Sequence, residues 1–111
     1  MNVELELRRR TIIVRLTGEL DHHSAQNLRS LIEQELDKEV ATGVLLSLEG
    51  LTFMDSSGLG AILGRYRRLN QAGGKMAACC LKPQVQRIFE LSGLTRIMNI
   101  YRTEEQALEQ L

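Results

Sequence analysis

Val44-Leu45-Leu46-Ser47-Leu48-Glu49-Gly50-Leu51-Thr52-Phe53-Met54-Asp55-Ser56-Ser57-Gly58-Leu59-Gly60 is the stretch on which the fold turns. Its first five residues form a short, nearly continuous apolar run, as a central strand buried on both faces requires. Leu59, Ile62, Leu63, Tyr66 and Leu69 then recur at helical spacing, with Arg65, Arg67 and Arg68 largely off the apolar stripe. Strand therefore passes to helix across Asp55-Ser56-Ser57-Gly58. A strand that feeds a helix in this way calls for a parallel neighbour and a right-handed crossover.

Working outward, the same alternation repeats. Upstream, Val3, Leu5 and Leu7 alternate with Glu4, Glu6 and Arg8, and Ile12, Val14 and Leu16 follow with the same period of two. Arg8, Arg9 and Arg10 lie between these runs and read as a solvated hairpin turn. After Gly18, Ala25, Leu28, Leu31, Ile32 and Leu36 mark a helix, with Ser24 as a suitable N-cap. Downstream, Gly73-Gly74 ends the helix begun near Ser56, and residues 75–81 read as another apolar strand. Pro83 suits the first turn of a third helix carrying Val85, Ile88 and Phe89, which Gly93 closes. Residues 97–101 read as a last strand. Thr103 caps a terminal helix whose Ala107, Leu108 and Leu111 face inward. The expected fold is α/β: one domain over residues 1–111, with a mixed sheet of about five strands covered by about four helices, opening on an antiparallel hairpin.

Composition narrows the function. Lys plus Arg number 14 and Asp plus Glu number 14, so there is no basic excess of the kind nucleic-acid binders carry. No apolar run approaches the length that spans a membrane, and Glu4 and Glu6 near the start do not suit a signal peptide. A cytoplasmic protein is expected. The adjacent Cys79 and Cys80 are read as buried, reduced thiols, because a disulfide between neighbours is strained and two cysteines make no zinc site.

The chemistry concentrates at two strand-to-helix junctions, Gly18-Glu19-Leu20-Asp21-His22-His23-Ser24 and Asp55-Ser56-Ser57-Gly58-Leu59-Gly60. In a parallel arrangement both lie at one edge of the sheet, where ligands of such folds bind. A helix start exposes N–H groups and the positive end of the dipole, so a phosphate on a serine there is stabilised. With Asp55 alongside, phosphorylation would make the loop strongly negative without unfolding the helix. The plainer reading is that Ser56 or Ser57 only caps the helix. Gly58, Gly60 and Gly64 each cost a helix about 0.5–1 kcal/mol relative to alanine, which suggests close approach of another backbone, either the sheet or a partner. His22 and His23 are adjacent and lack a third ligand at a plausible spacing, so no metal is expected. No cofactor is expected either, because there is no G-x-x-x-x-G-K-[ST] phosphate loop. A serine hydrolase built from Ser56, His22 or His23, and Asp21 is a remote alternative, without a G-x-S-x-G elbow.

At these junctions the chain resembles the bacterial anti-sigma factor antagonists, which are STAS domains. The resemblance rests on Arg15-Leu16-Thr17-Gly18-Glu19-Leu20-Asp21-His22-His23 and Phe53-Met54-Asp55-Ser56-Ser57-Gly58-Leu59-Gly60, supported by Leu63-Gly64-Arg65-Tyr66 and Leu91-Ser92-Gly93-Leu94. It extends over essentially the whole chain and is nearest the sporulation members. It implies a regulator and not an enzyme. The unphosphorylated form would bind an anti-sigma factor that is also a serine kinase and so release the sporulation sigma factor. That kinase would phosphorylate the first serine of the motif, here Ser56, and a metal-dependent serine phosphatase would restore it. Asp21, His22, His23, Asp55, Ser56, Ser57, Gly58 and Gly60 are the expected partner-binding residues. Within the same fold, a stress-response relay or a small-ligand sensor is the alternative. The Cys79-Cys80 pair is not a family feature.

Overall fold

The computed structural model describes residues 1–111. Strands β1 (Asn2–Arg8), β2 (Thr11–Leu20), β3 (Gly43–Met54), β4 (Lys75–Cys79) and β5 (Asn99–Tyr101) lie in that order across one sheet. Only β1 and β2 pair antiparallel; the remaining neighbours are parallel. The hairpin turn is tighter than the three arginines suggested. Arg8 pairs with Thr11, and only Arg9 and Arg10 form the loop, both at positive φ (52° and 66°). Two left-handed residues are what a two-residue hairpin needs to follow the strand twist.

Helices α1 (His22–Asp37), α2 (Ser56–Gln71), α3 (Pro83–Ser92), α4 (Leu94–Ile97) and α5 (Glu104–Gln110) complete the chain. Val44 to Leu48 are all buried, as the apolar run demanded. Val44, Leu46 and Leu48 join Ile12, Val14 and Leu16 beneath α1, α2 and α3. Leu45 instead joins Ile13, Ala77 and Cys79 on the opposite face, under Ala107 of α5. Each such fully buried aliphatic side chain contributes about 1.5–3 kcal/mol, so the large cluster on the three-helix side carries most of the stability. No helix is long and apolar enough to cross a membrane.

Three local readings are corrected. The N-cap of α1 is Asp21, three residues before the expected Ser24, which instead sits at N3 and completes a reciprocal capping box. The last strand starts at Asn99 because Leu94–Ile97 forms a one-turn helix, making five helices; Gly93, at φ 83°, ends α3 and begins α4. Of the two cysteines only Cys79 is buried, and burial pushes its thiol up to about 12. Cys80 is half-exposed and turns the chain out of β4 at φ 62°.

Arg65 also differs from its expected place, being largely covered where α2 meets α1. Its Nε lies 2.7 Å from Glu33 Oε1, but the N–H is not aimed at that oxygen, so Nε and Nη1 have no hydrogen-bond acceptor. Burial lowers its affinity for its proton. Arg68 joins Glu33 as well and reaches Asp37 at 2.7 Å, tying the two helices together.

The thinly covered sheet face is held by charge. Arg15 of β2 donates to both oxygens of Glu104 at 2.9 Å and to Glu4 and Glu6 of β1, also at 2.9 Å. Ser47 Oγ donates to Glu104 Oε2 at 2.6 Å. These bonds, Arg15 foremost, keep the Glu104 carboxyl below its ordinary value of 4.5. A carboxyl depressed in the folded state stabilises fully above its unfolded value, and that contribution disappears as pH falls through the folded value. We therefore expect stability to fall as the pH drops below about 4.5. Glu104→Ala should lower stability at pH 7 by about 1.5–3 kcal/mol, the range for hydrogen bonds to charged groups, and should flatten the acid limb. Urea unfolding of both proteins at pH 7 and pH 3.5 checks this.

Candidate functional site

The site is built by strand register. Leu20 ends β2 and Met54 ends β3, and the two are paired neighbours in a parallel ladder. The next residue in each case is an aspartate, and each aspartate caps the helix that follows. Asp55 N–H donates to the Leu20 carbonyl at 3.1 Å, joining the two junctions through the backbone. Gly58 packs directly on Leu20: a Cβ there would stand 2.7 Å from Leu20 Cγ and 2.9 Å from its carbonyl oxygen. The two helix starts are thereby fixed side by side at one edge of the sheet.

Around Asp21 the capping box is closed. Asp21 Oδ1 accepts from Ser24 N–H at 3.0 Å and from Ser24 Oγ at 2.9 Å, while Asp21 N–H donates back to Ser24 Oγ at 2.8 Å. The Ser24 backbone donor is the chief reason the Asp21 carboxyl lies below its usual range. His22, the first residue of α1, places Nδ1 3.4 Å from Ser57 Oγ across the junction. His23 is exposed beside it.

At the second junction neither serine is the cap. Asp55 Oδ1 accepts from Ser57 N–H at 2.9 Å and Gly58 N–H at 3.1 Å. The alternative in which Ser56 or Ser57 serves only as cap is thereby corrected. Ser56 occupies the first helical position, exposed, with its hydroxyl outside the hydrogen bonds of the junction; Ser57 is half-buried. The anion site is also narrower than a bare helix start. Two of its N–H groups already serve Asp55, so a group on Ser56 would meet the helix dipole and a neighbouring carboxylate rather than a cradle of donors.

The glycines divide. Gly58 is explained by the sheet beneath it, whereas a Cβ at Gly60 or Gly64 would have no atom within 4 Å. Close approach to the sheet thus accounts for one of the three. Phe53, quoted in the sequence but not singled out, is 46% exposed at the end of β3 although its neighbours Leu51 and Met54 are buried. The β2–β3 ladder slips between Gly18 and Glu19, so simple alternation does not locate Phe53.

The catalytic alternative finds no geometry. His22 faces Ser57 and not Ser56, and the Asp21 carboxylate is engaged by Ser24. An open surface cavity of about 590 Å³ is lined by Glu49, Cys80, Leu81, Arg102, Thr103, Glu104 and Glu105, with no residue from either junction.

Comparison with known proteins agrees with this architecture. The STAS domain family model matches residues 2–107. The anti-sigma F factor antagonist of Paenibacillus polymyxa is 47% identical over 111 residues, covering 100% of this chain and 95% of that protein. The anti-sigma factor antagonist SpoIIAA in its unphosphorylated form superposes with a TM-score of 0.78 at 32% identity, covering 98% of this chain and 96% of that one. The phosphorylated form of SpoIIAA from Bacillus gives 0.80 at 36% identity, covering 98% of each chain. With two aspartate-capped helix starts joined at one sheet edge and a full-length match of this strength, the chain belongs to the anti-sigma factor antagonists of the STAS domain family.

Proposed function

We propose that this protein binds an anti-sigma factor that is also a serine kinase, and that phosphorylation of Ser56 switches the binding off. The observation that carries the reading is the state of the Ser56 hydroxyl, which is exposed and free of the bonds that hold the junction. Bound in its unphosphorylated form, the antagonist would displace the sporulation sigma factor from its inhibitor. Asp21, His22, His23, Asp55, Ser57, Gly58 and Gly60 surround Ser56 or lie along the same two helix starts, and we assign them to the contact surface. A metal-dependent serine phosphatase would remove the phosphate and restore binding. In this reading the chain acts in the cytoplasm as a regulator, with the chemistry supplied by its partners.

The physical logic lies in what phosphorylation leaves alone. It adds about −1.5 to −2 charges beside Asp55, whose own carboxylate keeps both cap bonds. The surface becomes strongly negative while the scaffold stays as it is. Incubation with the anti-sigma kinase and Mg-ATP, followed by peptide mass spectrometry, should place a single phosphate on Ser56. Phosphate confined to Ser57 would overturn the residue assignment.

A further inference from the structure

We propose that His22 makes the choice between the two adjacent serines, holding the Ser57 hydroxyl so that phosphoryl transfer is confined to Ser56; this rests on the switch proposed above. The two hydroxyls are chemically identical and one residue apart, so a kinase that meets this loop needs a physical reason to prefer one. The structure offers three differences. Ser56 is exposed and Ser57 half-buried. Ser57 Oγ is 3.4 Å from His22 Nδ1, whereas the Ser56 hydroxyl has no such partner. The Ser57 backbone N–H is tied to Asp55 at 2.9 Å, which holds the residue against the junction.

His22 is well placed to act as a fixed stop. It begins α1, whose start is closed by the Asp21–Ser24 capping box. That start is bound to the start of α2 by the Asp55–Leu20 hydrogen bond and by Gly58 on Leu20. The imidazole therefore meets Ser57 through rigid elements on both sides, 35 residues apart in sequence. Transfer requires Oγ to bond to the γ-phosphorus of ATP while the bridging P–O bond breaks, ADP leaves and the hydroxyl proton passes to a base on the kinase or to water. Ser57 must first leave His22 to enter that geometry; Ser56 need leave nothing. His22 is thus a positioning residue that acts on Ser57.

The test compares the wild type with His22→Ala and His22→Asn, each full-length, after incubation with the anti-sigma kinase and Mg-ATP. The readout is the ratio of phosphate on Ser57 to phosphate on Ser56, which is independent of how fast either protein is modified. Asn places an amide near the position of Nδ1 and serves as the conservative rescue. The Ser57 ratio should rise about fivefold in His22→Ala, the factor that a net hydrogen bond near 1 kcal/mol carries, and return toward wild type in His22→Asn. In a Ser56→Ala background, removing His22 should raise the rate at Ser57 by a similar factor. An unchanged ratio overturns the proposal. So does a fall in the Ser57 ratio, which would make the imidazole an activating base; a slower total modification, expected of a residue on the contact surface, leaves the ratio to decide. Phosphate mainly on Ser57 of the wild type would instead overturn the underlying assignment of Ser56.

Discussion

Ser56→Asp should bind the anti-sigma kinase about thirtyfold more weakly than the wild type, and phosphorylated Ser56 more weakly still. Two unit charges about 4 Å apart interact by about 4 kcal/mol at an effective dielectric near 20. If the partner sets a carboxylate near Ser56 and half of that repulsion survives at the interface, about 2 kcal/mol opposes docking, and each 1.4 kcal/mol is a factor of ten. A phosphate carries up to twice the charge of aspartate, so its effect is the larger. Ser56→Ala should still bind, but Mg-ATP should no longer release it. Calorimetric titration of the three proteins, with and without Mg-ATP, measures all of this. Equal affinity of the phosphorylated and unphosphorylated forms would remove the basis of the switch.

Gly58→Ala should be strongly destabilising, whereas Gly60→Ala, two residues along the same helix, should stabilise. At Gly58 the added carbon would sit 2.7 and 2.9 Å from Leu20 side-chain atoms and 2.9 Å from its carbonyl oxygen, so backbone must move. Overpacking of this kind costs about 1–3 kcal/mol. For a domain near 100 residues each kcal/mol shifts Tm by about 4–8 °C, which places the expected drop near 10 °C. At Gly60 nothing lies within 4 Å, and alanine gains about 0.5–1 kcal/mol of helix preference. Calorimetric melting of the two variants gives opposite signs if the helix start rests on Leu20 as described. A neutral Gly58→Ala would contradict that packing.

Much of the fold was legible because it is written in short-range periodicity. The run Val44 to Leu48 announced a doubly buried strand, and the alternation around Leu5 and Val14 announced the hairpin. What escaped were features decided across the chain. Arg15 and Glu104 meet over a separation of 89 residues, and nothing local in either marks the other as its partner. Helix caps were ambiguous for a related reason: Asp21 and Ser24 are both good capping residues, and only the backbone turn decides which is N-cap and which is N3. The one-turn helix after Gly93 is too short to show a period. At the candidate site, sequence brought Asp21 and Ser56 to the same sheet edge through the parallel topology, and the family resemblance singled out Ser56, but the physical difference between Ser56 and Ser57 was not legible. That difference lies in the approach of the His22 ring to Ser57 and in the roughly 100° between consecutive helix positions, neither of which has a sequence signature.

The bond from Asp55 to the Leu20 carbonyl, and the aspartate cap beyond it, use atoms that a change at the Ser56 oxygen never touches. Under the proposed switch, information would thus be inscribed on this molecule as ink on a page rather than as a crease in it. Repeated writing and erasing would leave no conformational history. The tempo of the response would then belong to the enzymes that write and erase, with no relaxation of the antagonist itself to wait for.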